Sequence, residues 1–529
     1  MDGARHAGLL IPIFSMPSSR SWGIGEIADI VPMAAWLRQA GQDVLQLLPI
    51  NEMATGQKSP YSAMSAMAID PIFISLHQVE DFRVLGGEDS LDPASRDTLR
   101  AVRASGRIEY AAVRSLKEGA LRSAFRRFRD TDWTRGTPRA SALRGWSEEQ
   151  RWWLDDYALF RALHAREQDR AWTSWPEPLR ARKPRALEAA RAQLADEVLY
   201  RRYLQWIADT QWRTAREQAA PVGLFGDLPF MVDVDSADVW ANQDSFRLDA
   251  SVGAPPDAFS AMGQNWGLPV YNWAAIARHD FRWPRLRARR SAALYSGFRV
   301  DHLVGFYRTF IFPRDGSKPC FTPARERAQL ALGKQMLRVF AEPGARIIAE
   351  DLGTVPDFVR ASLARLGIPG FKVLRWEREW KQEGRPFRDP KAYPVVSVAT
   401  TGTHDTEPLA VWWDEMPAEE RAKVGAIPSL RQIVPKAVDL ESSRFTPQVR
   451  DALLELLFAS ASELLILPVQ DVFGWRDRIN VPAKVVEENW TYRLPWPSDR
   501  LDLQPEAVER AQMLRRWARR HQRGVGGSR

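Results

Sequence analysis

Gly297-Phe298-Arg299-Val300-Asp301-His302-Leu303 is an apolar run that delivers a carboxylate near its end. Read as a strand, its alternation puts Arg299 and Asp301 on one face and His302 on the other. Barrel enzymes keep their chemistry at the C-terminal ends of such buried strands. Two further runs finish in the same way, Ile348-Ala349-Glu350-Asp351 and Gly402-Thr403-His404-Asp405. A single Asp at a strand end is equally well explained by turn chemistry. Three acids, with Arg299 and His404 beside them, fit a different pattern: a pair that does covalent and proton work, and a third that holds a sugar.

Working outward, residues 43–50 read as a buried strand that follows a helix ending at Gly41. Short apolar runs recur at 222–228, 297–303, 346–352, 370–376, 397–405 and 464–471, each after a helical pattern. Strands alternating with helices predict a parallel sheet. The apolar stretch 68–76 brings the count of candidate strands to eight. The fold class is therefore α/β, a (β/α)₈ barrel, rather than a doubly wound open sheet. No Gly-x-Gly-x-x-Gly follows the first strand, which removes the best support for dinucleotide binding.

Uneven spacing locates the insertions. Residues 1–500 are assigned to the barrel, with a mostly helical insertion at 77–221 rich in Arg, Ala, Leu and Glu. A second insertion, 236–290, is rich in Gly, Pro, Trp and Asn and shows little periodicity, as expected of a lid. Residues 501–529 are expected to form a C-terminal helix and a disordered tail, with no separate C-terminal β domain.

The 529 residues are 45% hydrophobic and 26% charged, near globular averages. The net charge of +8 comes from Arg interleaved with acids, as in Glu148-Glu149-Gln150-Arg151, so it reads as solvated helix faces and not as a nucleic-acid surface. No apolar run has the length of a membrane span, and the N-terminus lacks a signal-peptide layout. One cysteine, Cys320, excludes an internal disulfide and suits a reducing compartment, so a cytoplasmic protein is expected; a monomer is the simplest assumption, since nothing in the sequence speaks to oligomeric state. His6, His77, His164, His279 and His521 have no metal-ligand spacing, and neither metal nor cofactor is expected. The 22 tryptophans pack the core for the most part, with several available to stack on sugar rings. His302 is equally readable as a packing or a contact residue. Gln470-Asp471 serves equally as a turn cap or as a support at the barrel mouth.

An ordered series of motifs runs along the chain. It begins with Ile11-Pro12, Pro17-Ser18-Ser19 and Trp22-Gly23-Ile24-Gly25, then Gln46-Leu47-Leu48-Pro49 and Ser59-Pro60-Tyr61-Ser62. It continues with Trp153-Leu154-Asp155-Asp156-Tyr157-Ala158-Leu159-Phe160 and Gly226-Asp227-Leu228-Pro229. Gly253-Ala254-Pro255-Pro256-Asp257 and Gly263-Gln264-Asn265-Trp266-Gly267-Leu268-Pro269 complete it. With these motifs the chain resembles the amylomaltases, the 4-α-glucanotransferases of glycoside hydrolase family 77, from Leu9 to about Pro497.

The resemblance implies roles for individual residues. Asp301 is implied as nucleophile, Glu350 as general acid and base, and Asp405 as the acid that grips sugar hydroxyls. Arg299 would keep Asp301 ionised by charge pairing. His404 and Asp227 would bind hydroxyls at the cleavage point, and Tyr61 would stack on that ring. Trp266 and Asp257 would belong to a loop over the bound glucan. The implied reaction moves an α-1,4-glucan segment from a maltooligosaccharide donor to a glucose or glucan acceptor. An α-glucan hydrolase or a non-catalytic glucan-binding homologue would carry the same acids. Three stretches depart from the family pattern: Val304 after the nucleophile, Thr406-Glu407-Pro408 after the third acid, and Ala483-Lys484 after Asn480.

Overall fold

The computed structural model describes residues 4–256, 263–434, 438, 440, 444–482 and 484–526. Its strands, in chain order, are β1 (His6–Leu10), β2 (Val44–Gln46), β3 (Gly223–Leu228), β4 (Phe246–Ala254), β5 (Gln264–Tyr271) and β6 (Gly297–Val300). They continue with β7 (Thr309–Pro313), β8 (Cys320–Thr322), β9 (Arg346–Ala349), β10 (Gly370–Val373), β11 (Ser397–Thr400) and β12 (Leu464–Pro468). Eight of them close into a barrel in the order β1-β12-β11-β10-β9-β6-β3-β2, and the rest form a sheet β5-β4-β7-β8. Every barrel pairing is parallel, and every pairing in the small sheet is antiparallel. The chain is a (β/α)₈ barrel.

One strand lies elsewhere than the sequence pattern predicts. The stretch 68–76 is not a barrel strand; His6–Leu10, which has no strand signature of its own, takes that place. Pro71 has no amide to give a ladder, and Asp70 accepts from Ile72 N (3.0 Å) to start a 3₁₀ turn instead. Side chains supply the backbone partners that a neighbouring strand would have given. Gln205 bonds Ile69 N (3.0 Å) and Ile69 O (2.8 Å), and Gln211 bonds Ser75 N (2.8 Å) and Ser75 O (3.0 Å). Lys117 Nζ donates to Ile72 O (2.6 Å) and Ile74 O (2.9 Å). A buried apolar run can thus be satisfied without a sheet. In β1 the decisive residue is Gly8, where a Cβ would lie 2.1 Å from Val44 O. The interruption that hides β1 in the sequence is what lets it approach β2.

Helices fill most of the chain between β2 and β3, the longest being Pro138–Arg166 and Ala195–Ala219. The second of these meets the barrel's helical shell, where Trp212 Nε1 donates to Leu294 O (2.8 Å). The segment 236–290, aperiodic in sequence, carries β4, β5 and the helices Ala237–Ala241 and Trp273–Arg278. Gly253 pairs with Asn265 on one side and with Phe310 on the other, so β5 is tied through β4 to β7, just beyond the end of β6.

Residues 521–526, at the start of the expected tail, pack through Arg523. After the helix Pro505–Arg520, Arg523 is fully buried and donates to Phe458 O (2.8 Å) and Ser460 O (2.8 Å). A buried guanidinium must find acceptors, and these carbonyls hold the segment around Arg523 against the barrel. Among the described residues, no helix is long and apolar enough to cross a membrane.

Register is what the fold contributes to the site. Asp227 on β3 pairs with Arg299 on β6, and Val300 on β6 pairs with Ala349 on β9. The next residues, Asp301 and Glu350, therefore leave the barrel side by side.

Candidate active site

The site is built on one buried cation. Arg299 NH2 donates to Asp301 Oδ1 at 2.7 Å, and NH1 forms a short ion pair with Asp227 Oδ2. Burial opposes the charge on Arg299, but Asp227, Tyr61 and Asp301 outweigh it and hold the guanidinium protonated. Asp227 is almost completely buried. That burial pushes its carboxyl up, while Arg299 pulls it back. Its Oδ2 also accepts from Tyr61 OH (2.8 Å), and its Oδ1 has no partner among the described residues.

Glu350 has a different environment. Its carboxylate accepts from two backbone amides, His302 N to Oε2 (2.8 Å) and Leu352 N to Oε1 (3.1 Å). Burial raises its pKa most. Arg299 and these amides lower it, Asp301 raises it further, and the net position is about 7. The two carboxyls thus sit in different settings: Asp301 is ion-paired to a buried guanidinium, and Glu350 is poised to hold a proton near neutrality. The free protein should lose kcat/KM as pH rises through about 7, because the acid form of Glu350 is the one depleted there. A pH profile on maltotriose checks this; an alkaline limb in the ordinary carboxylate range contradicts it.

The third acid is more open. Asp405, with 41% of its side chain exposed, takes Asn480 Nδ2 at 2.7 Å and lies 3.3 Å from His404 Nε2. Tyr61 joins the two halves of the site. Its hydroxyl lies 3.1 Å from His404 Nε2, and its ring stacks on His404 with centroids 5.4 Å apart and planes at 19°. Trp490 packs against both rings, at 5.7 Å from Tyr61 and 5.8 Å from His404.

Of its two expected readings, His302 takes packing, and it does so off the regular strand. The strand stops at Val300, and His302 is left-handed with φ 47°. Its ring meets Phe230 at 5.4 Å and the ring of Trp266 at 5.0 Å, edge to face. Since the His302 amide bonds Glu350, Trp266 on β5 reaches the acid through a single residue.

The structure therefore brings together Asp301, Glu350, Asp405, Tyr61, Asp227, Arg299, His404 and Trp266. Asp257 lies outside the described residues. Asn480, Arg478 and Trp490 join the site without a signal in the sequence that gives them a role. Asn480 is visible there only as part of a motif, and Trp490 as one of many tryptophans. Among the described residues, no group of three His, Cys, Asp or Glu could hold a metal.

The profile of the 4-alpha-glucanotransferase family matches residues 11–499. A 4-alpha-glucanotransferase of Thermus thermophilus is 32% identical, over 96% of this chain and 100% of its own. One from Chlamydia pneumoniae is 31% identical, over 92% of this chain and 91% of its own. An amylomaltase from Streptococcus agalactiae, solved in complex with acarbose, superposes with a TM-score of 0.81 at 25% identity, covering 98% of this chain and 100% of that one.

Proposed function

We propose, because the chain belongs to the 4-alpha-glucanotransferase family, that it moves α-1,4-linked glucan segments between maltooligosaccharides by a retaining, two-step displacement. The observation that carries the mechanism is the division of labour between Asp301, ion-paired to Arg299, and Glu350, with a pKa of about 7. Asp301 attacks the anomeric carbon while Glu350 protonates the departing glycosidic oxygen. In the second half, Glu350 takes the proton from the 4-hydroxyl of the acceptor, which displaces Asp301 and restores the α configuration.

The surrounding groups suit a sugar at the cleavage point. Asp405 is open enough to accept from ring hydroxyls, and Asp227 Oδ1 is an acceptor with no donor among the described residues. Tyr61 already has one ring face against His404, so it is the other face that can meet the sugar. Transfer needs water kept from the covalent intermediate. Trp266, seated on His302 above Glu350, is the group in place to do that. A cytoplasmic setting agrees with the free, exposed thiol of Cys320.

Incubation with maltotriose tests the reading. Transfer yields a ladder of longer oligosaccharides together with glucose and maltose. Glucose and maltose alone would show a hydrolase, and an unchanged substrate would show a binding protein.

A further inference from the structure

We propose that Asp471 is a positioning residue that holds His404 and Asp405 in catalytic register without touching substrate. The inference rests on the reading of Asp405 as the acid that grips the sugar. Asp471 follows β12 on the short helix Val469–Phe473 and is 1% exposed. Its Oδ2 accepts from Thr401 Oγ1 at 2.5 Å, and its Oδ1 accepts from Leu409 N at 2.6 Å. Thr401 is the first residue after β11, and Leu409 is the first of the helix Leu409–Glu415. One carboxylate therefore ties both ends of the loop 401–408, which carries His404 and Asp405. A turn-capping Asp would need only the second bond; the first makes it a clasp.

Arg375 adds ties near both ends of the loop. Arg375 donates through Nε to Thr401 O (3.0 Å) and through NH1 to Glu407 Oε1 (2.7 Å). Gly402 lets the guanidinium in, since a Cβ there would stand 3.1 Å from Arg375 NH2 and 2.3 Å from Thr406 Oγ1. Beyond the Asp471 helix, Arg478 NH2 bonds Asp405 O (2.7 Å) and Asn480 bonds its carboxylate (2.7 Å). Asp405 itself is half exposed. Its position is set by these ties, and Asp471 is the one that joins the loop's first residue to the helix that follows it. Glu407, one of the departures from the family pattern, is absorbed here as the partner of Arg375.

Two substitutions separate geometry from charge. Asp471→Ala removes both bonds. Asp471→Asn keeps an acceptor for Leu409 N, and its amide can donate to Thr401 Oγ1 once that hydroxyl reverses its role. Misplacing a contact group by about 1 Å costs up to about 100-fold, so Asp471→Ala should lower kcat/KM by about 10- to 100-fold. Asp471→Asn should recover most of that loss. A second readout removes catalysis: in a Glu350→Gln background, Asp471→Ala should weaken maltotetraose binding measured by titration calorimetry well below its melting point. A role confined to stability would shift melting and leave that affinity unmoved. Folded Asp471→Ala with wild-type kcat/KM and affinity overturns the proposal. Should that variant not fold, Thr401→Val and Thr401→Ser decide it: a deficit confined to valine supports the clasp, and equal activity refutes it. Wild-type turnover of maltotriose, measured alongside, tests the parent reading separately.

Discussion

Asp301→Asn is expected to abolish transfer, with a loss of turnover on the order of 10⁴-fold or more, the scale on which removal of a covalent nucleophile acts in other enzymes. The substitution is nearly isosteric and leaves the rest of the site in place. Arg299 keeps its buried partner Asp227, and the lost pair is the more exposed one, with 30% of the Asp301 side chain accessible. The fold should therefore survive, as a thermal melt will show. The change is also felt at Glu350, whose pKa Asp301 raises, so the variant's acid should titrate lower than that of the parent. A fluorinated glycosyl donor that accumulates the covalent intermediate should label the peptide containing Asp301 in the parent and nothing in the variant. Labelling at another carboxylate, or substantial turnover by a folded Asp301→Asn, would sink the assignment.

The strand-end acids are legible in the sequence because barrel geometry converts a local pattern into a location. An apolar run ending in Asp301 or Glu350 needs no long-range information to place its acid at the C-terminal rim. Arg299 is legible for the same reason, since strand alternation alone puts it on the face of Asp301. The cross-strand neighbour is not. Asp227 lies against Arg299 because β3 and β6 are in a particular register, and register is a property of pairs of strands.

The departures from expectation have physical causes too. Residues 68–76 look like a strand because they are apolar and buried, and the partners that replace a sheet, Gln205 and Gln211, come from 136 residues away. β1 looks like nothing, since Gly8 interrupts it, although that glycine is what its packing requires. The β4–β5 pair resembles a loop although Phe246-Arg247-Leu248 alternates, because glycines and prolines punctuate the twenty or so residues after Leu248. Asn480 and Arg478 are hidden for a different reason, and for Asp471 the sequence leaves two roles equally open. Each is an ordinary polar residue whose function lies wholly in which backbone or carboxylate it meets.

Glu350→Gln should lower turnover of maltotriose by about 10²- to 10⁴-fold, the contribution of a positioned proton donor. The loss divides between two chemical steps, which makes it separable. A donor such as maltosyl fluoride has a leaving group that needs little protonation, so formation of the glycosyl-enzyme should be largely spared. The second step still lacks a base to deprotonate the acceptor, and the intermediate should accumulate. Azide needs no deprotonation, so adding it should restore turnover and give an α-configured glycosyl azide. Geometry argues for testing Glu350→Ala beside it. Both oxygens of Glu350 accept backbone amides, from His302 and Leu352, and the NH₂ of a glutamine would oppose one of them. Alanine avoids that donor–donor clash and leaves space for azide, so rescue should be stronger there. In both variants the loss of kcat/KM above pH 7 should disappear, since the group titrating at about 7 is gone. An alkaline limb that persists in both, or azide that rescues neither, would place the proton on another residue.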